Sequence, residues 1–133
     1  MITEDYVSFE TAKLLKEKGF DGKLPFIYVD TEKSDREVHL TDTLCNYNDG
    51  HIKDVISAPT LQMAMKWLRN VHKIIPIVLT GGYSQNPFYY WFRIDIIKEG
   101  KWKDAIYRED EKEFPTYEQA CEAAIKYCLD NLI

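Results

Sequence analysis

The sequence has few of the features that identify a protein class at sight. It contains three cysteines, Cys45, Cys121 and Cys128, an odd number without clustered spacing, which argues against a disulfide framework. No stretch approaches about 18 consecutive apolar residues, so we expect no membrane-spanning helix and no membrane partner. Lys and Arg number 17 against 22 Asp and Glu. The resulting net charge of −5 argues against a nucleic-acid partner.

Other absences concern targeting and disorder. Residues 1–6 lack the basic and apolar segments of a secretory signal, so we expect a cytoplasmic protein with reduced thiols. Hydrophobic residues make up 45% of the chain and aromatics 14%, which is too much apolar material for a disordered protein. A chain of 133 residues fits one domain, residues 1–133. A domain of that size builds a core without a metal or cofactor, and we expect neither.

Capping residues predict three helices. Ser8 is a favourable N-cap and Gly19 a favourable C′ residue, which bounds a first helix over 9–18. Residues 57–60 open a second helix, and the segment 116–119 matches a capping box that begins a third helix over 117–131. The predicted buried positions of the second helix are Leu61, Ala64, Met65, Leu68 and Val71. Cys121 and Cys128 share one face of the third helix, and both are expected in the core.

Short aromatic and β-branched segments predict the strands. They cover 26–29, 37–40, 74–79, 88–97 and 102–108, with a hairpin turn at Glu99-Gly100 and a loop over 41–50. Pro76 indicates that the third of these strands lies at a sheet edge. The order is α-β-β-α-β-β-β-α. It predicts a single α+β domain, with an antiparallel sheet of about five strands and three helices.

The two termini and the second helix resemble a known group of sequences. The segments MITEDYVSFETAKLLKEKGF, SAPTLQMAMKWLR and FPTYEQACEAAIKYCLDNLI are similar to small uncharacterised proteins that recur in Bacteroides genomes and prophage-like elements. The resemblance implies a mobile-element or phage-related origin. It implies no activity and no site residue.

The hairpin around residues 99–100 carries the first candidate site. A two-residue turn pairs Ile97 with Trp102, and alternation then separates an apolar face from a face of mixed aromatic and charged residues. The mixed face suits binding of another protein. On it we expect Trp91 beside Arg108, and Trp91 and Trp102 exposed and adjacent. Its predicted binding residues are Tyr89, Trp91, Arg93, Trp102 and Arg108.

The same register brings two carboxylates together. Asp95 is expected to face Asp104, and such a pair could share a proton or a cation. The two strands supply no histidine and no third carboxylate. The simpler interpretations are that Arg93 and Arg108 neutralise the pair, or that the true register differs from the assumed one.

His39, Cys45 and His51 form a second candidate site because they are spaced six residues apart. A cysteine beside a histidine can act as nucleophile and base, or the two can ligate a metal. No C-x-x-C pair is present, and no helix follows Cys45 to activate it. The pattern therefore favours surface residues. An enzyme would require Cys45 within hydrogen-bond reach of a histidine, in a concave pocket.

The sequence as a whole favours a small non-enzymatic interaction or regulatory module of a bacterial accessory element. The first alternative is a small enzyme that uses Cys45 and His51, or Asp95 and Asp104. The second alternative is an acidic decoy that inhibits a nucleic-acid-binding protein, with the acidic segment 109–113 imitating a phosphate backbone.

Overall fold

The computed structural model describes residues 2–81, 84–107 and 112–133. These residues form three α-helices and six β-strands, which confirms the predicted α+β class. The order is α1 (Phe9–Glu17), β1 (Leu24–Val29), β2 (His39–Cys45), β3 (Val55–Ser57), α2 (Leu61–Trp67), β4 (Ile74–Gly81), β5 (Asn86–Lys98), β6 (Lys101–Tyr107) and α3 (Tyr117–Asn131). The predicted order lacks the short strand β3, which is described at Val55–Ser57.

The described strands form two antiparallel sheets of three strands, where a single sheet of about five strands was expected. One sheet has the order β2-β1-β3 and the other β4-β5-β6. Contacts likewise divide the chain into two compact units, Met1–Ala64 and Met65–Ile133. Hairpins can be predicted from local patterns, but the partition of strands between sheets depends on long-range pairing.

The first unit is built around α1 and the central strand β1. The Ser8 hydroxyl accepts a hydrogen bond from the Thr11 backbone N–H at 3.2 Å, and Gly19 has a positive φ of 92°, as its predicted C′ position requires. The ring of Phe9 on α1 meets the ring of Tyr28 on β1 edge to face, at 5.6 Å between centroids. Helix and strand therefore enclose the core of this unit together.

Residues 41–45 were predicted as loop, and this prediction is wrong. They continue β2, which pairs with β1 as far as the Leu24–Cys45 pair, across an irregularity in register. The side chains of β2 are mostly exposed. Thr41 and Thr43 favour a strand, but an edge strand in solvent lacks apolar alternation, and the Asp, Asn and Gly residues of the segment 42–50 favour a loop.

Near the start of the second unit, the helix type changes at Leu68. A π-helical turn, Leu68–His72, follows α2. Its wider i→i+5 spacing departs from the 3.6-residue period used to predict the buried positions. Val71, predicted to be buried, is accordingly 56% exposed, while Leu68 is fully buried.

The sheet β4-β5-β6 is covered on one face by α3. Phe92 and Ile94 of β5 are buried, and the Phe92 ring lies 6.0 Å from the ring of Tyr127 on α3. Strand β4 is at the edge of the sheet, which confirms the inference drawn from Pro76. Cys121 and Cys128 are both fully buried, as predicted.

Candidate functional site

The hairpin of β5 and β6 follows the predicted register only close to its turn. Ile97 pairs with Trp102 as expected, but the next pair joins Ile96 to Asp104, so that Lys103 is an extra residue on β6. This is a β-bulge, and it shifts every later pair by one position. The alternation of apolar and polar residues along β6 does not predict this extra residue.

The bulge overturns the proposed carboxylate pair. The backbone of Asp95 lies opposite Ala105, and that of Asp104 lies opposite Ile96. Arg93, expected opposite Ile106, lies opposite Tyr107. The prediction that Asp95 faces Asp104 is therefore wrong, and the acid–base or cation role built on it has no structural basis.

The second sheet has a face directed away from α3, which we call the Trp91 face. Residues directly opposite each other on antiparallel strands lie on the same face, and the register pairs Ile77 with Arg93 and Leu79 with Trp91. The apolar side chains of β4 and β5 on this face are partly exposed. The Trp91 face consists of Ile75, Ile77, Leu79, Tyr89, Trp91, Arg93, Asp95, Ile97 and Trp102.

The aromatic residues predicted for binding are distributed along the whole length of this face. Trp102 is 65% exposed and Tyr89 is 40% exposed, whereas Trp91 is only partly exposed and its Nε1–H donates to the Thr80 carbonyl at 3.3 Å. Trp102 pairs with Ile97, six positions beyond Trp91 on β5. At about 3.3 Å per residue, that is roughly 20 Å. The two indoles are therefore not adjacent, contrary to expectation, and Arg108 lies outside the described residues.

Arg93 and Asp95 form an ion pair on the Trp91 face. The Arg93 Nε lies 3.1 Å from Asp95 Oδ1, and Nη2 lies 3.4 Å from Oδ2. The Asp95 side chain is 13% exposed. The Arg93 guanidinium thus neutralises the Asp95 carboxylate. This agrees with the predicted role of Arg93 as a neutralising residue.

The second candidate site brings Cys45 and His51 together. Cys45 is the last residue of β2 and His51 lies in the loop that follows, with its Nε2 3.6 Å from the Cys45 Sγ. The distance part of the requirement for an enzyme, a histidine within hydrogen-bond reach of Cys45, is therefore met. On the other side of the imidazole, Nδ1 contacts Oδ1 of Asp49. Sequence reasoning missed Asp49.

The Asp49 carboxylate holds His51 through two groups. The same Oδ1 accepts a hydrogen bond from the His51 backbone N–H at 2.9 Å. This backbone hydrogen bond, together with the contact to the imidazole, lowers the pKa of Asp49 below its ordinary value. An Asp side chain often accepts a hydrogen bond from the backbone N–H two residues later, which forms an Asx turn. This turn pattern is the one signal in the sequence that could have identified Asp49.

The loop that carries Asp49 and His51 is fixed to its unit by Asn48. The Asn48 side chain donates to the Phe20 carbonyl at 3.0 Å and accepts from the Ser57 backbone N–H at 2.9 Å. The Tyr47 ring, 3% exposed, stacks on the His51 imidazole with 5.9 Å between centroids. These contacts set the position of His51 relative to the end of β2.

His39, the third residue of the predicted set, lies apart from this cluster. Its Nε2 contacts Asp35 Oδ2 at 3.0 Å. Hydrogen bonds from the Glu37 backbone and from His39 lower the pKa of Asp35. Among the described residues, no group of three or more His, Cys, Asp and Glu is arranged to hold a metal ion.

Comparison with known proteins gives no relative. No family model matches the chain, and neither does any curated protein or solved structure. The resemblance to small Bacteroides proteins therefore stays a prediction. In the part of the chain that the structure describes, no helix combines the length and apolarity needed to cross a membrane.

Proposed function

We propose that this protein is an interaction or regulatory module that binds another protein through the Trp91 face. The observation that carries the proposal is the contrast between the two faces of the second sheet. Helix α3 covers one face, on which Phe92 and Ile94 are 1% and 0% exposed, while Phe88 near the start of β5 is 80% exposed. The opposite face consists mainly of large apolar side chains that are partly or largely exposed.

The composition of the Trp91 face indicates the chemistry of the partner. Its apolar residues extend along both β4 and β5, and Tyr89 and Trp102 stand towards opposite ends. Exposed aromatics of this kind are typical energetic centres of protein interfaces. Arg93 and Asp95 neutralise each other within the face. A complementary partner is therefore a protein surface that is mainly apolar and uncharged at its centre.

The cellular setting follows from the thiols and the charge. Cys45, Cys121 and Cys128 are free, and free thiols persist in reducing compartments, so we place the interaction in the cytoplasm. The net charge of −5 favours a protein over a nucleic acid as partner. The decoy alternative depends on the acidic segment 109–113, of which residues 109–111 lie outside the described residues.

Affinity capture with a matched pair of variants tests the proposal. The test variant is Trp102→Glu with Tyr89→Glu, which places charge on the two most exposed aromatics of the face. The control is Leu40→Glu, a comparable change on β2 at a residue that is 73% exposed. We expect one partner to be captured by wild type and control, with the test variant losing about 2 kcal/mol or more of binding free energy.

The salt dependence of the complex separates this proposal from the decoy alternative. An apolar interface should keep a nearly constant Kd between about 50 and 500 mM salt, because screening acts on charges. An acidic decoy should lose affinity by orders of magnitude over the same range. Equal capture by the test variant and the wild type would rule out the Trp91 face.

A further inference from the structure

Cys45, His51 and Asp49 lie in a row, in the arrangement by which enzymes activate a nucleophile. The Sγ of Cys45 is 3.6 Å from Nε2 of His51, and Nδ1 of the same ring contacts the Asp49 carboxylate. A nucleophile, a base within reach of it and a third group that orients the base together form the arrangement of a catalytic triad. The Trp91 face involves none of these residues.

The Asp49 contact determines which ring nitrogen can act as a base. A carboxylate accepts hydrogen bonds, so its partner Nδ1 carries the hydrogen in the neutral imidazole. The lone pair of the neutral ring is then on Nε2, the nitrogen that faces the Cys45 thiol. The Asp49 carboxylate also stabilises the imidazolium that forms when Nε2 takes a proton.

The cluster is preorganised and open to solvent. Cys45 is held by the pairing of its strand with Leu24, and the His51 ring is stacked on the buried Tyr47. The His51 and Asp49 side chains are 43% and 49% exposed, and Cys45 is partly exposed. An acyl group can therefore reach the Sγ from solvent without any opening of the fold.

We propose that Cys45 is a nucleophilic thiol, with His51 as its base, that accepts acyl groups from activated esters or thioesters. The Cys45 thiol proton passes to His51 Nε2 while Sγ forms a bond to the carbonyl carbon. Collapse of the tetrahedral intermediate breaks the bond to the leaving oxygen or sulfur, which takes the proton from His51. Water, deprotonated by His51, then hydrolyses the S-acyl group, and the Cys45 sulfur takes the proton back. A carboxylic acid is released, and no group is oxidised or reduced.

The test measures acetylation of Cys45 by p-nitrophenyl acetate, mapped by peptide mass spectrometry on the 133-residue chain. The buried thiols of Cys121 and Cys128 serve as internal controls, and we expect them to remain unmodified in the folded protein. We expect His51→Ala to slow acetylation of Cys45 by about 100-fold, the usual contribution of a general base. Asp49→Asn, which removes the charge but keeps the size, should slow it by at least about tenfold.

Chemical rescue distinguishes a base from a residue that only supports the loop. Added imidazole should restore much of the Cys45 acetylation rate in His51→Ala, because free imidazole can occupy the space of the missing ring. Cys45→Ala in the same buffer gives the background for non-enzymatic reaction. The proposal is overturned if wild type releases p-nitrophenol no faster than Cys45→Ala, if His51→Ala matches the wild-type rate, or if imidazole restores nothing.

Discussion

Tyr28 shows how a single polar atom is satisfied inside the first unit. Its ring belongs to the core, with the residue 5% exposed, and its hydroxyl donates to the backbone carbonyl of Val7 at 2.6 Å. Val7 is fully buried. A carbonyl that is removed from water needs such a donor, since an unpaired buried acceptor carries its full desolvation cost.

Replacement of this hydroxyl measures that cost. We expect Tyr28→Phe to lower the free energy of unfolding by roughly 1–2 kcal/mol, because the Val7 carbonyl stays buried without the phenol donor. Urea denaturation gives the value. Tyr89→Phe removes a hydroxyl from a residue that is 40% exposed and should change stability little. A loss of equal size in both variants would contradict this account of Tyr28.

Cys128 provides a pH-dependent contribution to stability. Burial raises the pKa of its thiol to about 12, from 9.0 for an exposed thiol. The unfolded chain therefore loses this proton at lower pH than the folded chain. The contribution is complete below about pH 9 and is lost as pH rises from 9 towards 12, by at most about 1.4 kcal/mol per pH unit.

Unfolding free energies of wild type and Cys128→Ala between pH 8 and pH 11 test this contribution. We expect the wild type to lose more stability than the variant above pH 9, because only the wild type has a buried thiol to ionise at position 128. Tyrosines and lysines titrate in both proteins and cancel in the difference. Parallel curves would show that the Cys128 thiol has the same pKa in the folded and unfolded chains.

At the scale of elements, the β5–β6 turn is determined by backbone conformation. Glu99 and Gly100 both have positive φ, 53° and 71°, as a two-residue type I′ hairpin requires. Glycine adopts this conformation freely, whereas an L-residue such as glutamate is strained in it. Glu99 is therefore a less favourable residue for the first turn position than Gly100 is for the second.

Two substitutions in this turn should have opposite effects. Gly100→Ala should destabilise the protein by roughly 1 kcal/mol, although a Cβ at Gly100 would meet nothing within 4 Å, because the cost is conformational. Glu99→Asn should give a smaller gain, since asparagine tolerates positive φ. Urea denaturation of both variants gives the signs. Destabilisation by Glu99→Asn would show that the glutamate side chain matters more than its backbone.

At the scale of the whole molecule, the two sheets each have one central strand. Strand β1 pairs with β2 and β3, and β5 pairs with β4 and β6. Amides on both sides of a central strand are hydrogen-bonded, while an edge strand leaves one side unpaired within its sheet. Amide exchange should therefore reach its minimum at two separate places in the chain.

Hydrogen exchange with peptide or residue resolution tests this arrangement. We expect the slowest amides of residues 1–64 in β1 and the slowest of residues 65–133 in β5, with β2 and β6 exchanging faster. The physical reason is that the amides of a central strand are released only when pairing on both sides is lost. A single minimum, or equal protection in β6 and β5, would contradict the two-sheet organisation.

Local chemistry made much of the fold predictable. The Ser8 and Thr116 caps, the Gly19 C′ position, the turn at Glu99-Gly100 and the edge position of Pro76 depend on a few neighbouring residues. The candidate sites were predictable only in part. Alternation identified the members of the Trp91 face on β5, but the Lys103 bulge separated Asp95 from Asp104. The spacing of Cys45 and His51 predicted a possible pair, but it did not predict that Asp49 contacts His51.

The sequence by itself determined the helices, the turn and the class of fold, because caps, periodicity and φ preferences act between residues close in the chain. Only the tertiary structure decided how the strands divide into two sheets, which face α3 covers, and that His51 stands between Cys45 and Asp49. Those outcomes depend on pairings such as Leu24 with Cys45 and on the bonds of Asn48 to Phe20 and Ser57. Such contacts join segments far apart in the chain, and local residue patterns do not record them.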